Sequence, residues 1–151
     1  MGKSFALLVD DNPDDVALMQ RVFSRAGVLR QDEIVVARDG VHALEFVFGT
    51  GEHAGRDVTQ LPKVIFLDLK MPRVDGLEVL RRLRDDERTR LVPVVVLTSS
   101  DEQQDLARSY RLGANSYIRK PEDSTQFADA VSALGRYWFR LNRVPTEAAP
   151  A

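Results

Sequence analysis

Hydrophobic positions fall into two alternating patterns along this chain. Short apolar runs, Phe5 to Val9, Ile34 to Ala37, Val64 to Leu67, Val94 to Leu97 and Ser116 to Ile118, predict five strands. Between them, Asp14 to Ala26, Gly40 to Phe48, Gly76 to Arg84, Gln103 to Leu112 and Ser124 to Leu141 carry apolar residues at three- and four-residue spacing, which predicts helices. In the first of these, Val16, Met19, Phe23 and Ala26 share one face. Strands that read as unbroken apolar runs are buried on both sides, so the alternation predicts an α/β fold, a parallel sheet covered by helices on both faces. Gly27 and Gly113 mark helix ends, and Ser124 is placed to cap the last helix.

One connection is abnormal. Residues 49 to 63, with Gly49, Gly51, Gly55 and Pro62, make a loop about three times the usual length, either a functional insertion or a mobile excursion. On a helical wheel, Phe127, Ala130, Val131, Leu134, Tyr137, Trp138 and Leu141 form one apolar arc able to pack on the sheet. Phe139 falls outside it, above Ala128, Ser132 and Gly135, a stripe of small residues on which a second helix would fit; it also reads as a lone surface aromatic. The pattern gives one domain over residues 1 to 141 and a C-terminal tail, 142 to 151, with too little apolar surface to order itself.

A length of 151 residues suits one domain, and 44% hydrophobic with 29% charged residues describes a globular protein. The net charge of -2 supplies no concentrated positive face, so direct nucleic-acid binding is not expected. The absence of cysteine excludes disulfides, thiolate metal sites and cysteine nucleophiles. The first apolar run is too short for a signal-peptide core and leads straight into Asp10 and Asp11, and no segment is long enough to span a bilayer. The expected location is the cytoplasm, with no membrane contact.

The chemistry-bearing residues stand at the carboxyl ends of the predicted strands: Asp10 and Asp11 on the first, Asp68 on the third, Thr98 on the fourth and Lys120 on the fifth. That rim is where open α/β sheets bind ligands, and a flavodoxin-like strand order of 2-1-3-4-5 sets Asp11 and Asp68 beside the topological switch point. Carboxylates so gathered repel one another unless a cation sits among them, and Mg²⁺ suits a few carboxylate oxygens together with a phosphate. An ammonium and a hydroxyl complete a site for in-line phosphoryl transfer to a carboxylate. Each residue alone has a plainer reading: Asp11 or Asn12 as a helix cap, Lys120 as solvated surface, Thr98 as a turn residue. It is the conjunction that is specific.

Four segments carry a family resemblance: Leu8-Val-Asp-Asp-Asn-Pro-Asp14, Phe66-Leu-Asp-Leu-Lys-Met-Pro72 with Asp75-Gly76, Val95-Val-Leu-Thr-Ser99, and Gly113-Ala-Asn-Ser-Tyr-Ile-Arg-Lys-Pro121. They closely resemble the receiver domains of two-component response regulators over about residues 4 to 134. The resemblance implies a flavodoxin-like (βα)5 fold with Asp68 as phosphoacceptor, Asp10 and Asp11 as the acidic pair binding Mg²⁺, and Lys70 lending a backbone carbonyl to the metal. It implies Thr98 and Tyr117 as a switch pair and a cis peptide between Lys120 and Pro121, a bond that proline makes tolerable. Without it, Tyr117 reads as an ordinary half-buried strand residue.

The long loop and the aromatic Tyr137-Trp-Phe139 segment are similar to stand-alone regulators serving bacterial phytochromes. The implied partners are a sensor histidine kinase, a bacteriophytochrome being one candidate, and a second copy bound through the fourth helix, fifth strand and fifth helix. Phe139, Gly135, Ser132 and Ala128 are the interface residues this predicts. The expected activity is Mg²⁺-dependent self-phosphorylation and autodephosphorylation, not turnover. A haloacid-dehalogenase-type phosphatase, the nearest enzymatic alternative, carries Asp-x-Asp after its first strand, where this chain has adjacent Asp10-Asp11. A nucleotide-binding module needs a glycine-rich loop where Asn12-Pro13 stands. A transcription factor needs more than the fifteen or so residues that remain after the receiver match, so output is expected through protein contacts.

Overall fold

The computed structural model describes residues 4–145. Five parallel strands, β1 (Ala6–Val9), β2 (Ile34–Ala37), β3 (Val64–Leu67), β4 (Val94–Thr98) and β5 (Ser116–Arg119), pair in the order β2-β1-β3-β4-β5. The helices are α1 (Pro13–Arg25), α2 (Gly40–Phe48), α3 (Gly76–Asp85), α4 (Gln103–Arg111) and α5 (Ser124–Arg136). Alternate residues of the central strands face opposite layers, as the pleat demands. Ala6, Leu8, Val64, Phe66, Val95 and Leu97 pack with α1 and α5 around Met19, Phe23 and Val131. Leu7, Val9, Ile65, Leu67 and Val94 pack with α2 and α3 around Phe46, Val79 and Leu80.

Polar side chains close the helix starts that surround the strand ends. Asn12 accepts from the amides of Asp14 and Asp15, Asp39 from that of His42, and Asp75 from that of Glu78. On α5 the cap is Asp123, which accepts from Thr125 and Gln126, and not Ser124 as the sequence suggested. A carboxylate offers two acceptor oxygens and a favourable charge to the helix N-terminus, so it displaces the neighbouring hydroxyl.

The extended loop is packed, not a loose excursion. Arg56 donates to the carbonyls of Phe46, Val47 and Gln60, and its guanidinium lies 4.1 Å from the centre of the Phe46 ring. Carbonyls in the last turn of a helix lack intrahelical partners, and here Arg56 satisfies those of α2. His42 on α2 meets His53 of the loop with 3.1 Å between their Nε2 atoms.

The end of α5 departs from the predicted wheel. Residues Tyr137–Leu141 form a π-helical turn, in which the amide of Asn142 reaches back five residues to the carbonyl of Tyr137 at 2.6 Å. The wider turn shifts every later side chain round the axis. Tyr137 and Leu141 are therefore exposed, while Phe139 turns inward to meet Phe23 with ring centres 6.2 Å apart. Gly135 also faces α1: a Cβ there would lie 2.9 Å from the Phe23 ring and 3.1 Å from Val28. The predicted docking stripe is thus corrected. Its two decisive members, Gly135 and Phe139, are occupied by the chain's own α1 side, and Ala128 and Ser132 beside them are half-buried. Of the predicted tail, residues 142–145 are described without regular structure, and 146–151 lie outside the described residues.

Candidate functional site

The backbone ladder continues one residue past the strands and so fixes where the polar side chains emerge. Asp10 N–H donates to Ala37 O, Asp68 N–H to Val9 O, and Lys120 N–H to Thr98 O. Asp10 and Asp68 are buried, Asp11 is exposed, and all three offer carboxylate oxygens within 4.8 Å of one another. Two glycines make room for the surrounding loops. A Cβ on Gly76 would overlap the carbonyl oxygen of Asp68, and one on Gly40 that of Val74, so α3 starts directly against the third-strand acid. The loop between them holds Arg73 in the left-handed region at φ 68°, with its guanidinium 2.7 Å from the Asp39 cap.

Lys120 enters this cluster from the far side. Its ammonium lies 2.8 Å from Asp10 Oδ2, 2.8 Å from Asp15 Oδ2 and 3.6 Å from Asp68 Oδ2. Burial alone would lower the Lys120 pKa, but the hydrogen bonds to Asp10 and Asp15 outweigh it and hold the group protonated. At Asp10 the balance falls the other way: burial raises its carboxyl pKa despite the hydrogen bond from Lys120. A second cation would relieve that penalty. Asp68 Oδ1 is buried with no hydrogen-bond partner among the described residues, an expensive condition for a carboxylate oxygen. The orphaned oxygen, the three convergent carboxylates and the hard-oxygen donor set all fit a divalent cation such as Mg²⁺.

Thr98 is fully buried, and its hydroxyl oxygen accepts from Ser100 N–H at 3.3 Å. Tyr117 is half-buried and donates its hydroxyl to Ser100 O at 2.9 Å, which joins β5 to the loop after β4. Burial raises the Tyr117 pKa, so it remains a donor. Lys70 turns neither into the acidic cluster nor freely to solvent: its ammonium reaches Asp105 Oδ2 on α4 at 3.2 Å. Asp15 and Asp105 were not singled out from the sequence. Both stand in the first turn of a helix that follows a site strand, which was the available signal, but there an acid is ordinary dipole stabilisation.

The expected cis bond is corrected. Among the described residues every peptide is trans, including Lys120–Pro121. The trans isomer is the lower in energy for an X–Pro bond, and Lys120 makes all three of its carboxylate contacts from it.

An open parallel sheet with buried carboxylates, a lysine and a threonine gathered at its carboxyl edge defines a phosphoryl-accepting signalling module. A family model, "Response regulator receiver domain", matches residues 6–132, and the chain belongs to that family. A probable methanogenesis regulatory protein, FilR2 of Methanothrix harundinacea, is 40% identical over 139 residues, which cover 92% of this chain and 86% of that one. The Mn²⁺-bound form of response regulator Rcp1 superposes with a TM-score of 0.88 at 30% identity, covering 95% of this chain and 100% of the other. The bacteriophytochrome response regulator AtBRR is 43% identical with a TM-score of 0.71, covering 95% and 100%. The chain is thus a response-regulator receiver on a flavodoxin-like fold, of a family whose members in general signal without being enzymes, interact with histidine kinases and often dimerise. Among the described residues no helix is long and apolar enough to cross a membrane.

Proposed function

We propose that Asp68 accepts a phosphoryl group from a sensor histidine kinase and that Asp10, Asp11, Thr98 and Lys120 are built to serve that transfer. The observation that carries this is the buried carboxylate of Asp68 in a cluster of opposed charges, with Oδ2 3.6 Å from the Lys120 ammonium and Oδ1 without a hydrogen-bond partner among the described residues. An Asp68 oxygen bonds to phosphorus as the phosphorus–nitrogen bond to the kinase imidazole breaks, leaving an acyl phosphate. Lys120, protonated and adjacent, pairs with the phosphoryl oxygens, and the Thr98 hydroxyl, which accepts from the Ser100 amide, donates its own proton to them. Asp10, Asp11, Asp68 and the Lys70 carbonyl would hold Mg²⁺, which neutralises developing charge on the transferred group. The same residues support self-phosphorylation from a small phosphodonor and slow autodephosphorylation.

The likeness to AtBRR favours a bacteriophytochrome as the kinase. The working unit is residues 1–141 followed by the tail, placed in the cytoplasm beside the kinase's catalytic part, and its output runs through protein contacts. A second copy is the expected companion, through the face made by α4, β5 and α5.

Labelling with acetyl phosphate or a phosphorylated kinase tests the site. Asp68→Asn should take up no label, while Asp11→Ala should lose labelling in a way that high Mg²⁺ restores. Label on the Asp68→Asn variant would overturn the assignment. Sustained hydrolysis of a chromogenic phosphomonoester would point instead to a phosphatase.

A further inference from the structure

The helix over the switch region is held in an unusual way. On α4 the buried residues are Asp105 and Ser109, both polar, where α1, α3 and α5 bury aliphatic and aromatic side chains. The Ser109 hydroxyl is satisfied within the helix, by Asp105 O at 2.8 Å. Asp105 is different, because a buried carboxylate is tolerated only when paired. Its Oδ2 takes two partners from outside α4: the Ser100 hydroxyl at 2.6 Å and the Lys70 ammonium at 3.2 Å. Lys70 stands two residues after Asp68 and Ser100 two residues after Thr98. One carboxylate therefore ties α4 to both loops that flank the phosphoryl position.

We propose that Asp105 is a positioning residue that holds Lys70 away from the phosphoryl group on Asp68 and so sets how long that group survives. This rests on the site reading above. In the unphosphorylated protein the ammonium of Lys70 has one ion-pair partner among the described residues, Asp105. A phosphoryl group on Asp68, two residues away, offers the same ammonium on its long, exposed side chain a second anion. The two anions compete. While Asp105 keeps Lys70, water reaches phosphorus from the solvent side; its oxygen bonds to phosphorus, the phosphorus–oxygen bond to Asp68 breaks with its electron pair going to the regenerated carboxylate, and hydrogen phosphate leaves with one proton of the water while the other passes to solvent. When Lys70 transfers to the phosphoryl oxygens it covers that approach and hydrolysis slows. The same transfer leaves Asp105 with Ser100 alone, which loosens the charged tie between α4 and the loop after β3.

The experiment is a four-member cycle of dephosphorylation rates in the full chain: wild type, Lys70→Ala, Asp105→Asn and the double variant. Each is labelled first, with Asp68→Asn as the unlabelled control. Asp105→Asn should slow hydrolysis about threefold, the scale of a half-exposed ion pair, and the double variant should lose that slowing. Lys70→Ala keeps the backbone carbonyl assigned to Mg²⁺ and removes only the ammonium, so alone it should change the rate less than twofold, because in the wild type Asp105 already withholds that ammonium. A general packing defect in Asp105→Asn would persist in the double variant, so the cycle separates positioning from structure. Equal slowing with and without Lys70, or a large effect of Lys70→Ala alone, overturns the proposal. The Lys70→Ala arm changes an exposed side chain, and a large effect there overturns the proposal even where Asp105→Asn does not fold. Absence of label in the wild type would sink the site reading itself, whereas label with a flat cycle sinks only the role of Asp105.

Discussion

Lys120 has a side chain only 8% exposed and an ammonium that answers the carboxylates of Asp10, Asp15 and Asp68 together, so its removal leaves like charges facing one another in a dry place. Lys120→Met keeps the volume and discards the charge. In metal-free buffer it should cost about 3 kcal/mol in urea unfolding, and saturating Mg²⁺ should recover a large part of that loss. A loss of the same size with and without Mg²⁺ would mean that the cation does not sit among these carboxylates. Arg73 offers a second residue-scale test. Its left-handed φ of 68° costs about 1 kcal/mol for a side chain with a Cβ, so Arg73→Gly should be more stable than Arg73→Ala by about that amount. Both lose the ion pair with Asp39. Burial by itself would raise the Asp39 carboxyl pKa, but the His42 amide and Arg73 outweigh it and set it below its ordinary value of 3.8. A depressed carboxyl adds stability above the ordinary value and loses it as pH falls through the folded one. The gap between wild type and either variant should therefore be full at pH 7 and shrink toward pH 3 in parallel unfolding titrations. The strand-end Asp10, Asp68, Thr98 and Lys120 were legible in the sequence because their type and order are rare together. Asp15 and Asp105 were not, since what distinguishes them is a contact with a residue far along the chain.

At the scale of elements, strands and helix starts were readable because period and capping chemistry are local. What escaped was geometry created by packing. No periodicity announces a π-helical turn, and one extra residue in the turn exchanges the roles of Phe139 and Tyr137. The order in the long loop was equally hidden, because Arg56 bonds to backbone carbonyls of α2, which every sequence has. The glycines at helix starts give the sharpest test at this scale. Exchanging Gly for Ala within a helix ordinarily stabilises it by roughly 0.5–1 kcal/mol. At Gly76 the new methyl would overlap the Asp68 carbonyl, so Gly76→Ala should instead destabilise by about 2 kcal/mol and slow labelling of Asp68. Thermal unfolding and acetyl-phosphate labelling read the two effects. A variant more stable than wild type would show that α3 can stand further from the site.

For the whole molecule, the correction at Phe139 changes how association must be tested. Phe139 packs on Phe23, whose side chain is fully buried, and Lys63 donates to the Phe139 carbonyl at 3.1 Å. A charge at this position would be driven against the core, so Phe139→Asp should unfold about 3 kcal/mol more easily, and any loss of dimer in it would be secondary to that damage. The large apolar side chains left exposed on the helices of the proposed face are Tyr110 on α4 and Tyr137 and Leu141 at the end of α5. Exposed positions tolerate polar substitution within about 0.5 kcal/mol. Tyr110→Ser, and Tyr137→Ser combined with Leu141→Ser, should thus keep wild-type unfolding midpoints while lowering the dimer fraction in sedimentation, with and without phosphorylation. Undiminished dimer in both variants would place the contact on another face, and a monomeric wild type in both states would remove the second copy from the mechanism, leaving the kinase and the downstream protein as the partners of the α4–β5–α5 face.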